Sequence, residues 1–477
     1  MRASLRVLSD DEVAQVHERT LAVLQRSGVR VDSEACRRIL MRAGAAVDDA
    51  TRVVRFSLAL VEEALRLAPK VFTLAGRRPG WQFALNAGDC TILSDGGATQ
   101  VVDARSGELR PGDHGDWLAA TRLLDAIDDV GLYWWTVEYG WEQAAMAGWV
   151  GYFHELFLNF SKHVQDSFTD PAVAPWLLEV LEVVFGGRDA VRRGRPFSYL
   201  FTPASPLVID RGCAETWLAL RGWGIPVAVM PMPLMGATAP ASLAATIVQA
   251  NAETLATLCL VQAAEPGTPF IYAPVLAVME PHTGRYAAGA VEASVMAVAG
   301  TQLARSYGLP VEASGCTTDH FVPSVQAAYE KATTSMITAL SWPDILIGPG
   351  LLGGATVLSL EQLVIDVEVF RMCRRAAEGV RFADELWLDD AHDRVGHGGT
   401  FLAESATRRN VRTGEWCLSR LGLHDSHESW LAVGKPDVID QARECIDQLL
   451  ASHRLIPFSE DQETALLKLE EKARRSS

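Results

Sequence analysis

Positive charge is scarce in this 477-residue chain, where 43 Lys and Arg stand against 59 Asp and Glu for a formal net charge of −16. That balance argues against a nucleic-acid or anionic-membrane surface and favours a cationic small molecule, although a local basic patch would still recognise an acidic partner. A targeting signal is also missing. The N-terminus MRASLRVLSDDEVAQ has no apolar core, and no uninterrupted apolar run is long enough to cross a bilayer. The apolar-rich stretch Ala239 to Ala264 carries Gln249, Asn251 and Glu253, so it reads as barrel packing, and the expected location is the cytoplasm.

Paired cysteines are absent as well: the eight cysteines are scattered with no C-x-x-C, which removes the commonest zinc and redox signatures. No G-x-G-x-x-G follows an apolar strand, and no glycine-rich stretch continues into the lysine and hydroxyl of a P-loop. His163, His282, His392 and His397 show no i, i+4 pairing around acids, so no metal site is expected. No low-complexity linker or internal repeat cuts the chain.

What is present is alternation. Apolar or aromatic strands begin near Val130, His163, Phe197, Val227, Phe270, Val311 and Ile345, separated by helix-length amphipathic segments. Seven such strands, plus one from the short β pieces VFTLAG, WQFALN, CTILSD and TQVVDARSG, would close an eight-stranded (β/α)8 barrel of the TIM type; an open doubly wound sheet is the rival. The expected division is an N-terminal helical and small-β cap over 1–112, an α/β barrel over 113–378 and a charged C-terminal helical extension over 379–477. In the extension, Glu460 to Arg475 reads as a solvated terminal helix.

Polar residues on an otherwise apolar barrel strand point inward. That rule turns Glu312, Ser314 and Cys316 of VEASGC inward, and Trp134, Thr136 and Glu138 of VGLYWWTVEYG. Glu138 and Glu312 are therefore candidate pocket carboxylates, against the plainer reading that each ends its strand in solvent or pairs with arginine. Aromatic residues crowd the strand ends: Tyr133, Trp134, Trp135, Tyr139, Trp141, Phe168, Tyr199, Phe201 and Tyr272. Sharing one mouth, they would form a box for a quaternary ammonium; taken singly, each is ordinary core filling. Asp319 and His320 open the loop before the Ser324 helix and either hold a ligand or tie the loop. Cys316 is the one cysteine in a polar loop.

The blocks PMPLMGATAPASLAATIVQANAETLA, MEPHTGRYAAGAVEASVMAVAGTQLARSYGLP, SGCTTDHFVPSVQAAYEK and GPGLLGGATVLSLEQLVIDVE resemble the trimethylamine methyltransferase family, the corrinoid-dependent methylamine and betaine demethylases. The resemblance covers most of the chain and is strongest from about Pro231 to Arg375. It implies an α/β barrel that holds a methylated amine, often quaternary, and passes its methyl group to the cobalt(I) of a corrinoid carried by a separate protein, with no cofactor tightly bound to this chain. Within that reading the candidate catalytic residues are Asp319, His320 and Glu312, and the candidate substrate contacts are Trp134, Glu138, Tyr139, Phe168, Tyr199, Phe201, Tyr272, Cys316 and His397. The expected assembly is a homo-oligomer. The pyrrolysine-containing branch activates its amine with that special residue, whereas this chain has only standard ones. Near the C-terminus the family commonly resembles G-P-G-G-H-F-L, but here Gly396, His397, Gly398, Gly399, Thr400, Phe401 and Leu402 stand, with the histidine at the proline position. Two alternatives stay open: a reduced pterin as methyl acceptor, and a non-catalytic protein that binds quaternary amines.

Overall fold

The computed structural model describes residues 2–413 and 415–476. Among them, eight parallel strands close a barrel in chain order: β1 (Thr91–Leu93), β2 (Val130–Tyr133), β3 (His163–Asp166), β4 (Phe197–Phe201), β5 (Val227–Val229), β6 (Phe270–Tyr272), β7 (Glu312–Ser314) and β8 (Ile345–Ile347). β8 pairs with β1, and a parallel bridge between Tyr272 and Val311 joins β6 to β7, which completes the closure. The first strand is CTILSD, so residues 1–112 supply a barrel stave as well as the smaller sheets.

Each strand leads into a helix on the outside of the barrel: α1 (His114–Ala126), α2 (Ala145–Asn159), α3 (Val173–Phe185), α4 (Arg211–Leu220), α5 (Leu243–Ala264), α6 (Val291–Ser306), α7 (Val325–Ala339) and α8 (Leu360–Glu378). Starts are capped by side-chain oxygens, as where Asp113 accepts from the Asp116 N–H and Ser324 from the Ala327 N–H. α5 is apolar on every face because it is covered on every face: the helices Asp10–Arg26, Glu34–Arg42 and Leu58–Leu67 pack along it. It is the one helix of the described residues long and apolar enough to cross a membrane, and it lies within the core. The N-terminal helices thus sit on the flank of the barrel.

The strands bury both faces. Leu93, Leu132, Leu200, Ala228, Ile271, Ile345 and Ile347 fill the interior, while Val130, Val164, Phe197, Val227 and Leu346 pack outward in the shell shared with the helices. The amino-terminal end of the barrel is plugged by the hairpin Phe72–Ala75 and Gln82–Leu85, whose Phe72, Leu74 and Leu85 join the interior cluster. At the opposite end, short strands Gln100–Val102, Leu109–Pro111, Leu351–Leu352 and Val357–Leu358 build a small sheet beside the mouth.

The C-terminal helix Glu460–Ser476 is docked rather than wholly solvated. Leu466 and Ala473 are buried, and His154 of α2 lies 2.6 Å from Glu470 and 3.3 Å from Glu463. An amphipathic face packed on α2 and α3 explains why so charged a sequence stays ordered.

Candidate functional site

Inside the barrel, polar side chains form a connected row. His163 Nε2 lies 2.9 Å from Ser198 Oγ, Ser198 Oγ donates to Gln165 Oε1 at 3.0 Å, and Gln165 Nε2 donates to both Glu312 oxygens at 3.0 and 2.8 Å. All four side chains are buried. Burial pushes the Glu312 carboxyl up to about 8, with the Gln165 hydrogen bonds pulling the other way. Burial also holds the His163 imidazole down at about 3. Burial thus disfavours charge on both titratable groups of the interior row.

Above it, the carboxyl end of β1 continues as Ser94-Asp95-Gly96. Ser94 clasps the Trp134 backbone from both sides: the Trp134 N–H donates to Ser94 Oγ at 2.8 Å, and Ser94 Oγ donates to the Trp134 carbonyl at 2.7 Å. Gly96 faces the indole so closely that a Cβ there would stand 2.4 Å from a ring carbon. A side chain at 96 would displace the ring. Trp134 packs against the interior cluster, and its buried Nε1 has no hydrogen-bond partner among the described residues. Half-buried Asp95 has its carboxyl raised to about 6 by burial, with the Gly96 N–H and the Lys331 charge opposing the rise.

The loop from Ala273 to Ala290 brings Tyr286 over this end. Burial and the charges of Asp95 and Asp319 raise its phenol, and the ring shares a cavity wall with Asp319. The loop is tied down from the β7 side: Asp319 accepts from the Ala288 N–H at 2.6 Å and the Gly289 N–H at 3.2 Å, and Thr317 Oγ1 donates to the Ala288 carbonyl at 2.7 Å. Glu330 accepts in turn from Thr318 Oγ1 at 2.5 Å and the Asp319 N–H at 3.0 Å. A cavity of about 500 Å3 opens here, with Glu280, Tyr286, Asp319 and Phe321 on its walls.

The residues expected to share the mouth separate into groups. Glu312 and Trp134 lie inside as the alternation rule requires. Tyr199, Phe201 and Tyr272 face the helices instead: the Tyr199 hydroxyl donates to the Phe168 carbonyl at 2.9 Å, and the Tyr272 hydroxyl to Asn251 Oδ1 of α5 at 3.1 Å. In FSYLF and FIY the inward positions belong to Ser198, Leu200 and Ile271, so the aromatic residues fall on the opposite phase. Phe168 and Tyr139 belong to a ring cluster with Trp117, Trp141, Trp149 and Tyr152, outside the barrel. The nine rings do not form one box.

Cys316 is turned away too. Its backbone adopts φ +59° just past the strand end, which breaks the two-residue alternation and sends the buried thiol toward Ser335, Lys331 and Asp366. Glu138 is exposed, just past Val137, which forms an isolated parallel bridge with Ala98 beyond the ends of β1 and β2. His397 is exposed on the C-terminal extension. Asp319 and His320 do sit at the mouth, and both are engaged in loop contacts, with His320 Nδ1 2.9 Å from the Val322 carbonyl. Beneath them Lys331 and Asp366 form a fully buried pair at 2.8 Å, capped by the Gly350 N–H.

Sequence reasoning missed Asp95, Gln165, Ser198 and Tyr286. Gln165 and Ser198 were available from phase alone, as polar residues at inward positions of apolar strands. Asp95 was hidden because its strand lies among four short β pieces of similar appearance, and Tyr286 because it acts from a long loop.

A closed α/β barrel with its polar groups gathered at the carboxyl ends of the strands is the architecture of a barrel enzyme. The chain belongs to the trimethylamine methyltransferase family, whose sequence model matches residues 2–476, and it is a methyltransferase. It is similar to the trimethylamine methyltransferase MttB of Desulfitobacterium hafniense (strain DSM 10664 / DCB-2), 30% identical over 452 residues that make up 95% of this chain and 90% of that protein. The glycine betaine methyltransferase of D. hafniense (strain Y51) is 27% identical over 448 residues, 94% of this chain and 92% of that one. Among solved structures, the monomethylamine methyltransferase MtmB of Methanosarcina barkeri is 10% identical at a TM-score of 0.48, over 98% of this chain and 91% of that chain.

Proposed function

We propose that the chain takes a methyl group from a quaternary amine such as a betaine, held over the barrel interior, and passes it to the reduced corrinoid of a partner protein. The observation that carries this reading is an indole and a carboxylate held at one strand end, the Trp134 ring packed on Gly96 and Asp95 its neighbour in the chain, above an interior row in which burial disfavours charge. A quaternary ammonium is attracted both to the ring face and to the carboxylate, and a low-dielectric surround strengthens both attractions. The two relatives named for trimethylamine and glycine betaine support an amine as donor.

The chemistry asks little of the protein in proton transfer. When a methyl group leaves a quaternary nitrogen, the C–N electron pair stays on nitrogen and a neutral amine departs, so no acid is required. A reduced corrinoid supplies the nucleophile. The mouth suits such a broad, largely apolar group in one respect: Met232 and Phe321, on the loops after β5 and β7, present apolar side chains to solvent. The residues of this chain then act by position. Trp134 and Asp95 seat the cation, Gly96 and Ser94 set the indole, and Asp319 holds the Tyr286 loop that keeps water from the seat. A protonated Glu312 leaves the floor of the site neutral, so the cation is drawn to the Asp95 side. The cytoplasm fits a partner that keeps cobalt reduced.

The test is incubation of the protein with glycine betaine, other N-methylated cations and trimethylamine, each with chemically reduced cobalamin, following methylated corrinoid by its absorbance. Turnover with quaternary amines supports the proposal. Turnover only with tetrahydrofolate would transfer it to a pterin acceptor, and tight binding with no transfer to either would leave a binding protein.

A further inference from the structure

Lys331 on α7 and Asp366 on α8 have no access to solvent and take no part in the amine seat. Stability alone gives such a pair little reason to exist, since two well-packed apolar side chains of similar volume commonly serve as well. What sets this pair apart is the backbone it holds. Lys331 Nζ donates to the Cys316 carbonyl at 2.8 Å, and the Gly350 N–H donates to Asp366 Oδ2 at 2.8 Å. Gln362 Nε2 fills the other Asp366 oxygen at 2.7 Å. Cys316 lies just past the end of β7 and Gly350 just past the end of β8, so one ion pair grips the chain beyond two neighbouring strands. Both places need holding. Cys316 adopts φ +59°, a region that a residue with a Cβ rarely enters and keeps only where its surroundings fix it. Gly350 is at φ +99°, and Gly348 runs so near β7 that a Cβ there would stand 1.9 Å from the Gly315 carbonyl oxygen. Each grip is charge-assisted, roughly twice as strong as a neutral hydrogen bond. An apolar pair would fill the same space and take the partners from that carbonyl and that N–H.

The mouth hangs from these two points. Past Cys316 the chain reaches Thr317, whose hydroxyl holds the Ala288 carbonyl, and Asp319, which holds the Ala288 and Gly289 N–H groups of the Tyr286 loop. Past Gly350, the Gly353 and Gly354 N–H groups donate to the His320 and Thr318 carbonyls at 2.8 and 2.9 Å, which joins the two loops. On the other side of Gly350, the Pro349 carbonyl accepts the Asp95 N–H at 3.5 Å. The Lys331 charge also favours the ionised form of Asp95, with Asp366 opposing it. We propose that Lys331 and Asp366 are positioning residues for methyl transfer, fixing the loops after β7 and β8 and through them the places of Asp95 and Asp319. Neither touches the substrate. The inference rests on the reading of Asp95 as part of the amine's seat.

The double variant Lys331→Met, Asp366→Leu tests it, because it keeps the apolar volume and loses both grips. It is expected to fold, with wild-type circular dichroism, while amide exchange in residues 316–320 and 349–354 quickens by about tenfold or more relative to the barrel strands. KM for glycine betaine is expected to rise about tenfold and kcat to change less than about threefold, the pattern of a lost ground-state seat. A pair that serves stability alone predicts a wild-type KM in the folded variant, and that result overturns the proposal. So does wild-type exchange in both loops. Should the variant not fold, Gln362→Met, which removes only the contact to Asp366 Oδ1, is expected to raise KM about twofold or more at unchanged kcat, and an unchanged KM overturns the proposal. A wild type that binds no quaternary amine refutes the seat itself. The exchange measurement, which needs no amine, then judges the pair: faster loops in the folded double variant support its hold on them, and unchanged loops overturn it.

Discussion

Glu312 offers the most direct check on the interior of the barrel. Its carboxyl ordinarily titrates near 4.5 and is held at about 8 in the folded chain, because a carboxylate buried among Gln165, Ile345 and Ile347 would give up water for too little in return. The folded protein thus keeps a proton that the unfolded chain releases above about 4.5. Stability from this group is complete below that value, falls as the pH rises toward 8, and is flat beyond it. At about 1.4 kcal/mol per unit the loss is on the order of 4 kcal/mol, and for a chain of this length, with an unfolding entropy near 1 kcal/mol per kelvin, it is about 4 °C in Tm. Glu312→Gln keeps the shape and an amide partner for Gln165 but removes the titration. Calorimetry of both proteins from pH 5 to pH 8 is expected to show the wild type losing about 4 °C relative to the variant. An infrared band of a protonated carboxyl should persist at pH 7 in the wild type alone. Parallel pH profiles with no such band would refute the reasoning and place an ionised carboxylate in the barrel.

Trp134→Ala is expected to weaken binding of tetramethylammonium by roughly 2- to 30-fold, the equivalent of about 0.5 to 2 kcal/mol, while binding of its neutral carbon isostere falls less; equal losses by titration calorimetry reduce the ring to packing. Asp319→Ala removes the acceptor of two backbone N–H groups and is expected to speed hydrogen exchange in residues 285–290 while raising KM for the amine more than it lowers kcat. Lys331→Met strands Asp366 as an unpaired buried charge and is expected to cost about 3–5 kcal/mol in denaturant unfolding, most of it recovered when Asp366→Leu is added.

The barrel was legible because its signal is repetitive. Seven strand starts at regular spacing, each followed by a helix-length amphipathic stretch, leave few other ways to bury the same residues, and the eighth strand came from the β pieces as arithmetic required. Glu312 and Trp134 were legible for a related reason: within a regular strand the two-residue period carries a side chain to a known face. Cys316 and Glu138 were not, since each lies beyond the last regular residue of its strand, one at φ +59° and the other just past an isolated bridge. The aromatic residues misled because their number at the strand ends was weighed ahead of their phase.

The sequence by itself determined the order of strands and helices, the family, the excess of negative charge and the inward phase of the regular strands, all of which depend on neighbours a few residues apart. Only the tertiary structure decided which carboxylates and rings meet: Asp95 from β1, Trp134 from β2, Glu312 from β7, and Tyr286 held in place by Asp319 across two loops. Those contacts join residues as many as two hundred positions apart, and their electrostatics depend on burial, which no stretch of sequence carries on its own. Glu312 reads as an ordinary acid along the chain, and the closed barrel around it keeps it neutral.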